Sequence, residues 1–240
     1  MKWAKEHSDD APDGAVFIAD NLEHARGRQG RIWQLAPGQL PLTIILKPEQ
    51  FTSGNSEATD FHLNYLTMAL GLGIFEPLKR YGVGLKWPND FMLEHKKVGG
   101  MLVELVWQCN QPRAVILGFA LNINNSFEKD NSLGVRATSI YDVTKQQHDL
   151  DAVTHQLFTS LDQWYRVWKS KDYELIYTTW KSNQIYLGKT LTIHDKQGNV
   201  VTGIVQDIQE NGDLIVKCGS MEQVIPFYIV EEVKSPIFLP

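Results

Sequence analysis

The sequence predicts an α+β protein in which a mixed-sheet domain is followed by a small β-barrel. Three observations carry this prediction. In the first two-thirds of the 240-residue chain, apolar runs of strand length come in pairs, as in hairpins. Two longer segments have the apolar spacing of helices. After Gly188, short apolar runs are separated by turn residues roughly every eight to twelve positions, which is typical of a small barrel.

The first elements are two strands and a long helix. Residues 15–20 and 42–46 are short apolar runs of the length expected for buried strands. Residues 60–80 carry apolar side chains at helical spacing on most of their surface, which predicts a largely buried helix. Gly71 and Gly73 are expected to loosen its end.

The middle of the chain predicts further strands and a second helix. Strand-like runs cover residues 82–88, 97–108 and 116–124, the first two flanking a tight turn. Residues 149–168 again have helical spacing. We expect helices on one side of the sheet. The C-terminal runs are LTIHD, VVTGIVQDI, DLIVKCG and EQVIPFYIV, and they predict a boundary between a first domain, 1–185, and a second, 186–240.

The composition excludes several classes of protein. A net charge of −5 and a pI near 5.8 argue against binding DNA or an anionic membrane through bulk electrostatics. Cys109 and Cys218 are far apart in sequence and suit neither a disulfide scaffold nor a metal site. No apolar run reaches the ~18–20 residues of a membrane span, and the charged start lacks the apolar stretch of a secretory signal. We therefore expect a cytoplasmic protein.

An arginine- and glycine-rich segment is the first candidate site. Arg26, Arg28 and Arg31 alternate with Gly27 and Gly30. Glycines let backbone N–H groups approach an anion, and guanidinium groups bind phosphate through paired hydrogen bonds. The segment ends in a tryptophan at position 33, whose ring could cover a flat ligand. A solvated basic turn is the alternative interpretation.

Residues 86–90, KWPND, form the second candidate. Here Asn89 and Asp90 stand at a strand end, and Trp87-Pro88 is expected to hold the backbone extended. Asp90 could bind Mg²⁺, and Lys86 could meet a carboxylate or phosphate. A β-turn with a capping aspartate would explain the same residues.

Two strands complete the set of candidates. Lys96 and Lys97 enter a strand that begins with Gly99 and Gly100, a pair that would let a ligand lie close to the backbone. A hairpin with a solvated basic end is the alternative. In ILGFALNIN (116–124), alternation places Asn122 and the asparagine at 124 on one face, and a buried asparagine needs a hydrogen-bond partner, of which a ligand is one.

The order of these motifs is more specific than any one of them. ARGRQGRIW, KWPND, KKVGGMLVE, ILGFALNIN and RATSI follow one another as in the biotin–protein ligase family, which the chain resembles from about residue 15 to its end. The resemblance implies a catalytic domain of the biotin/lipoyl ligase type with a C-terminal SH3-like barrel. It also implies ATP, Mg²⁺ and biotin as ligands, and biotinyl-adenylate as the intermediate. The partner would be a biotin carboxyl carrier domain of acetyl-CoA carboxylase.

The resemblance also implies roles for individual residues. Arg28 would hold the phosphate and retain the adenylate, with Arg31 and Arg26 in the same loop. Lys97 would contact the biotin carboxylate and the phosphate. Asp90 would be catalytic and a metal ligand.

The remaining site residues would bind biotin or the nucleotide. Gly27 and Gly30 would let the loop fold over the intermediate, and Trp33 would pack on the adenine side. Asn89 and Lys86 would face the adenylate and metal. Gly99 and Gly100 would line the biotin channel, and Asn122 would meet the adenylate end.

The chain departs from the family pattern at several places. Leu22 replaces a glutamine, Ala25 and Ala120 replace glycines, and Gln29 replaces an arginine. The Ser-Thr-Asn stretch that binds biotin's ureido ring would fall at or before Met1. These departures motivate two other hypotheses: a degenerate relative that binds nucleotide or carrier without ligating, and a ligase for another acid such as lipoate. The resemblance further implies a form without a DNA-binding module, able to form a homodimer through sheet edges.

Overall fold

A computed structural model describes residues 1–18, 25–27, 30, 32–48, 56–109, 111–127 and 136–234. The helices in these ranges are α1 (Lys2–Glu6), α2 (Ser56–Leu78), α3 (Ile140–Thr144), α4 (Leu150–Lys169) and α5 (Tyr173–Ser182). The strands up to the middle of the chain are β1 (Ala15–Ile18), β2 (Ala25–Arg26), β3 (Ile32–Trp33), β4 (Gln39–Leu46), β5 (Gly84–Lys86), β6 (Asp90–Leu93), β7 (Lys96–Gln108) and β8 (Gln111–Asn122). The later strands are β9 (Thr190–Asp195), β10 (Val200–Ile208), β11 (Leu214–Cys218), β12 (Met221–Ile225) and β13 (Val230–Lys234).

The main sheet has six strands in the order β1-β4-β8-β7-β6-β5. The α+β prediction is confirmed, but the sheet predicted as mixed is antiparallel in every described ladder. Parallel pairing is confined to isolated bridges, Leu85 with Gln184 and Lys97 with Ala137. β4 pairs with β8 along its whole length, and β8 pairs with β7 along a long hairpin. β4, β7 and β8 are longer than β6, and they form the central part of the sheet, against which other elements pack.

The two faces of the sheet carry different cores. Alternate residues such as Leu42, Leu117 and Met101 face the helices α2, α4 and α5 in the main core. The residues between them, including Ile45 and Ile116, form a second core on the other face with residues of α1. The expectation of helices on one side is therefore wrong for α1. This helix was not predicted, because five residues are too few to show the apolar periodicity of a helix.

Helix α2 crosses the main core and is buried on nearly all sides. It runs through Gly71 and Gly73, which the sequence predicted would loosen its end, and stops at Leu78. A Cβ on Gly73 would lie 2.8 Å from the Cα of Leu161 in α4. The glycine is therefore a close-packing position, where the backbones of two helices approach each other. Within the described ranges, no helix is both long and apolar enough to cross a membrane.

One predicted strand is shorter than expected. The run 82–88 contains only the short β5, and residues 87–89, which include the cis Trp87–Pro88 bond, form a turn instead of continuing extended. β6 follows the turn and pairs with both β5 and β7. This strand was not predicted, because its four residues were assigned to the connection between two longer runs.

The five C-terminal strands form an antiparallel sheet in the order β12-β11-β10-β9-β13. Its inner side chains, such as Leu191, Val205 and Leu214, are buried and continuous with the main core. Helix α5 is joined to this sheet by an ion pair between Lys181 and Asp207 at 2.5 Å. The hydrogen bond from Lys181 to Asp207 raises the pKa of the lysine above its usual value.

Candidate active site

An ion pair between Lys97 and Asp90 lies at the start of the β6–β7 hairpin. The Lys97 Nζ is 2.5 Å from Asp90 Oδ1, and the two side chains are 35% and 20% exposed. Register places Asp90 directly opposite Gly100 on β7. A Cβ at Gly100 would lie 3.1 Å from Lys97 Cε and 3.3 Å from Asp90 Oδ1. The missing side chain of Gly100 therefore makes room for the pair.

The two glycines of the predicted ligand channel face opposite sides of the sheet. A Cβ at Gly99 would point into the main core, 2.5 Å from Leu121 Cδ2 and 2.9 Å from the Ala120 carbonyl oxygen. Only Gly100 lies on the face that carries the ion pair. The two glycines are on different faces because successive residues of a strand point to opposite sides, and their lining of a biotin channel stays a prediction.

Small residues continue from Gly100 across the sheet. Asp90, Gly100, Ala120 and Pro41 are direct cross-strand neighbours on four adjacent strands. Ala120, which replaces a family glycine, has no positive φ, so its side chain causes no backbone strain. This row forms a shallow trough that begins at the ion pair.

A second row lies beside the first and is partly covered. It consists of Leu102, Gly118, Thr43 and Phe17, again direct neighbours across the strands. The Met1 side chain packs where a Cβ on Gly118 would stand. The N-terminal segment therefore covers the sheet along one side of the trough, and the end that holds the ion pair is partly exposed.

Trp33 forms a wall beside Lys97. The ammonium group of Lys97 lies 5.4 Å from the centre of the indole ring, within the range of a cation–π contact. The indole Nε1 is buried and has no hydrogen-bond partner within the described part of the chain. β3 holds Trp33 opposite Ala25 of β2, so the arginine–glycine segment connects two strands at the site.

The arginine–glycine segment is described only in part. Arg28, Arg31 and Gln29 lie outside the described residues, as does Leu22. The backbone of Arg26 pairs with Ile32, and Gly30 has a φ of +72°, which a glycine adopts without strain. Gly27 is half-buried beside β2. The predicted phosphate contacts of the arginines stay predictions.

Asn122 belongs to a buried hydrogen-bond network under the site. It is 1% exposed, its Oδ1 accepts from Gln39 Nε2 at 2.8 Å, and its Nδ2 donates to the Thr138 carbonyl at 2.9 Å. The Gln39 Oε1 accepts from the Ala36 N–H at 2.9 Å. These bonds connect the segment that follows Trp33 to the end of β8. A contact between Asn122 and a ligand stays a prediction.

The same network reaches the backbone of Lys97. The Lys97 N–H donates to the Arg136 carbonyl at 2.9 Å, and the Thr138 N–H donates to the Lys97 carbonyl at 3.0 Å. Sequence reasoning missed Gln39 and Thr138. Gln39 could have been noticed in the sequence, because it is a polar residue just before the apolar run that forms β4.

The two asparagines expected on one face separate after the strand ends. β8 stops at Asn122, and Asn124 turns away to exchange hydrogen bonds with His148. Its Nδ2 donates to the His148 carbonyl at 2.7 Å, and its Oδ1 accepts from the His148 N–H at 2.9 Å. Asn124 therefore holds the loop at His148 and does not lie on the same face as Asn122.

Lys86 and Asn89 both make contacts within the protein. Asn89 Nδ2 donates to the Met101 carbonyl at 2.5 Å, and the Met101 N–H donates to the Asn89 carbonyl at 3.0 Å. The Lys86 ammonium donates to the Val233 carbonyl at 2.9 Å. These contacts fix the turn that precedes Asp90, and direct ligand contacts of Lys86 and Asn89 stay predictions.

The carboxylate of Asp90 fits Mg²⁺ as a single protein ligand. Among the described residues, no three histidine, cysteine or acidic side chains are grouped to hold a metal ion by themselves. Mg²⁺ is commonly bound by one or two carboxylates, with phosphate oxygens and waters completing the octahedron. The donor set therefore suits a magnesium ion that arrives with a nucleotide.

The sequence of the chain is similar to those of several known proteins. The sequence pattern of the Biotin/lipoate A/B protein ligase family matches residues 2–122. The Bifunctional ligase/repressor BirA of Bacillus subtilis is 24% identical over 217 residues, covering 88% of this chain and 63% of that protein. The Biotin--[acetyl-CoA-carboxylase] ligase of Mycobacterium tuberculosis is 26% identical over 224 residues, covering 89% and 77%. The chain thus spans less than two-thirds of the length of the Bacillus relative.

A solved structure matches nearly the whole chain. The biotin protein ligase from Aquifex aeolicus, in complex with biotin and ATP, superposes with a TM-score of 0.81 at 25% identity. The match covers 98% of this chain and 94% of that one. The similarity therefore includes the C-terminal sheet as well as the main one.

Proposed function

Because the chain belongs to the Biotin/lipoate A/B protein ligase family, we propose that it activates biotin with ATP and transfers it to a carrier protein. The acceptor is a lysine of a biotin carboxyl carrier domain of acetyl-CoA carboxylase. The observation that supports this best is the Lys97–Asp90 pair beside Trp33, at the partly exposed end of a trough of small residues. The similarity to relatives named as biotin ligases supports the choice of acid.

The reaction has two steps. A carboxylate oxygen of biotin attacks the α-phosphorus of ATP, the bond to the β-phosphate oxygen breaks, and pyrophosphate leaves. The ε-amine of the carrier lysine then attacks the carbonyl carbon of biotinyl-adenylate. The bond to the phosphate oxygen breaks, AMP leaves, and the amine loses a proton.

Lys97 serves the first step by bringing two anions together. Its ammonium group lowers the repulsion between the biotin carboxylate and the α-phosphate, and it stabilises the charge that builds on phosphorus. Asp90 holds that ammonium in place at 2.5 Å. Mg²⁺ would bind through Asp90 and the phosphates, and it would neutralise charge on the leaving pyrophosphate. Trp33 limits the approach of water to Lys97 from one side.

The trough would take the biotin ring system, and the basic loop would cover the nucleotide. Gly100 and Ala120 leave room close to the sheet for a ring, while Leu102 adds apolar contact. We propose that Arg26, Arg28 and Arg31 bind the phosphates, with Gly27 and Gly30 as the points where the loop bends. A cover of this kind would protect the anhydride from hydrolysis.

We propose further features of the whole protein. The division into residues 1–185 and 186–240 is supported by the gap between α5 and β9. A net charge of −5 supports a protein that does not bind DNA. Cys109 and Cys218 are both free thiols, which supports a reducing compartment such as the cytoplasm.

A homodimer would form through the free edge of β7. β6 pairs with β7 only as far as Gly100, and no described strand covers that edge farther along. Trp107 is exposed near its end. An unpaired apolar edge is a template for pairing with a second copy. Sedimentation of the protein and of Trp107→Glu, with and without biotin and ATP, tests this: the proposal expects a dimer that the substitution weakens.

The test of function is biotin-dependent exchange of pyrophosphate into ATP. We expect exchange with biotin and its loss in Lys97→Met, while Lys96→Met serves as a control from the adjacent position. Exchange stimulated by lipoate or octanoate but not biotin would support the ligase for another acid. Binding of ATP or carrier without any exchange would support the degenerate relative and contradict the proposal.

A further inference from the structure

The turn that carries the predicted catalytic carboxylate is held by the C-terminal sheet. Trp87 lies three residues before Asp90 and is 4% exposed. Its indole Nε1 donates to the Gly212 carbonyl at 2.7 Å. Gly212 stands in the turn between β10 and β11, 125 residues away in sequence. A buried N–H donor of this kind has no solvent to replace a lost partner.

A second connection reaches the same turn from another strand. Lys86 pairs directly with Asp90 across the β5–β6 ladder, and its ammonium donates to the Val233 carbonyl in β13. Asn89 holds the opposite side of the turn to β7 through Met101. Two hydrogen bonds therefore join the turn before Asp90 to the C-terminal sheet, in addition to the two bonds between Asn89 and Met101 that join it to β7.

Small cavities lie on both sides of the turn. One is bordered by Trp87, Leu191 and Leu214, and the other by Lys86, Asp90 and Phe91. Gln184 borders both, and its buried Oε1 has no hydrogen-bond partner among the described residues. The bond from Trp87 to Gly212 is therefore a directional contact beside a small gap in the packing.

We infer that Trp87 is a positioning residue for the reaction, through which the turn containing Gly212 sets the place of the Asp90 carboxylate. The inference rests on the proposed function. The C-terminal sheet thereby contributes to metal–nucleotide binding without itself touching the reacting atoms. A displacement of about 1 Å at a reacting group is enough to lower a rate on the order of a hundredfold.

Two matched pairs of variants separate positioning from stability. Trp87→Phe keeps an aromatic ring and removes the N–H. Tyr177→Phe is its control, because the Tyr177 hydroxyl donates to the Ile208 carbonyl at 2.5 Å and so joins α5 to the same sheet away from Asp90. Gly212→Ala strains a residue at φ +90°, and Gly198→Ala strains one at φ +87° in another turn of that sheet. Only the first member of each pair involves the bond to Trp87.

The measurement is biotin-dependent pyrophosphate exchange as a function of Mg²⁺ and ATP, together with urea unfolding. We expect Trp87→Phe and Gly212→Ala to raise the Mg²⁺ concentration for half-maximal exchange by about tenfold, with the KM for biotin within about twofold. Tyr177→Phe and Gly198→Ala should lower the unfolding midpoint similarly and leave both constants near those of the unchanged protein.

The outcomes are distinguishable. Equal changes in Mg²⁺ dependence within each pair, or no change in any variant, would overturn the positioning role while the unchanged protein remains active. Should Trp87→Phe not fold, Gly212→Ala against Gly198→Ala still decides the question. Absence of exchange in the unchanged protein would instead refute the proposed function on which the inference rests.

Discussion

The adjacent glycines Gly99 and Gly100 offer a paired test of the site because they face opposite sides of the sheet. At Gly100, a Cβ would lie 3.1 Å from Lys97 Cε and 3.2 Å from Lys97 Nζ. The end of a lysine side chain can move by the few tenths of an ångström that such a contact requires. Gly100→Ala should therefore fold normally and displace Lys97 from Asp90.

At Gly99 the same methyl group has no space. It would lie 2.5 Å from Leu121 Cδ2 and 2.9 Å from the Ala120 carbonyl oxygen, and a backbone atom of a central strand cannot move aside. Overpacking of this kind costs about 1–3 kcal/mol. At a slope of roughly 2–3 kcal/mol per molar urea, the midpoint of unfolding should fall by about 0.3–1.5 M.

The assays are urea unfolding and biotin-dependent pyrophosphate exchange on both variants. We expect Gly99→Ala to lose stability, and Gly100→Ala to keep its midpoint within about 0.2 M while its exchange rate falls about tenfold or more. A large loss of stability in Gly100→Ala with a normal rate per folded molecule would refute the assignment of faces. So would a Gly99→Ala protein as stable as the unchanged one.

Three further predictions concern the supporting structure. Gln39→Leu leaves Asn122 Oδ1 and the Ala36 N–H without their partner, and it should lower the free energy of unfolding by about 1–3 kcal/mol in urea titrations; an unchanged value would mean that the network is not formed. Burial lowers the pKa of His148, helped by the charge of Arg80, so the unfolded chain binds the proton more tightly. Stability should therefore fall as the pH drops below about 6.5, and thermal unfolding of His148→Gln should show a smaller fall; an equal fall would exclude His148. The Asp207 hydrogen bond raises the pKa of Lys181, so its contribution is complete below the unfolded value of about 10.5. Lys181→Met should accordingly lower the thermal midpoint by the same amount at pH 7 and pH 9, whereas a deficit that disappears by pH 9 would contradict the raised pKa.

The local patterns of the chain predicted most of the elements correctly. The long strands β7 and β8, helix α4 and the first three C-terminal strands follow from apolar periodicity and turn residues, because each depends on neighbours only a few positions away. The last predicted run, EQVIPFYIV, is wrong as a single strand, because the structure divides it between β12 and β13. The same patterns misplaced the glycines of α2. Gly71 and Gly73 disfavour a helix locally, but the fit of Gly73 against Leu161 of α4 is a contact that no local pattern contains.

Part of the candidate site was also predictable from local sequence. The motifs alone identified Lys97 and Asp90 and placed them one hairpin apart, and their order along the chain indicated the family that the sequence comparison then showed. Strand alternation was also enough to place Gly99 and Gly100 on opposite faces, although the prediction did not apply it. The candidate residues of the site thus lie in short segments that local motifs identify.

Tertiary structure decided which of these residues bind the protein itself. Gln39 and Asn122 are 83 residues apart in sequence, and Trp87 and Gly212 are 125 apart. Side-chain amides, ammonium groups and indole N–H groups bind ligands and buried carbonyls through the same hydrogen bonds, so residue type cannot tell the two uses apart. The hydrogen-bond partner of each side chain depends on which strands lie next to each other in the fold. That arrangement results from packing across the whole core.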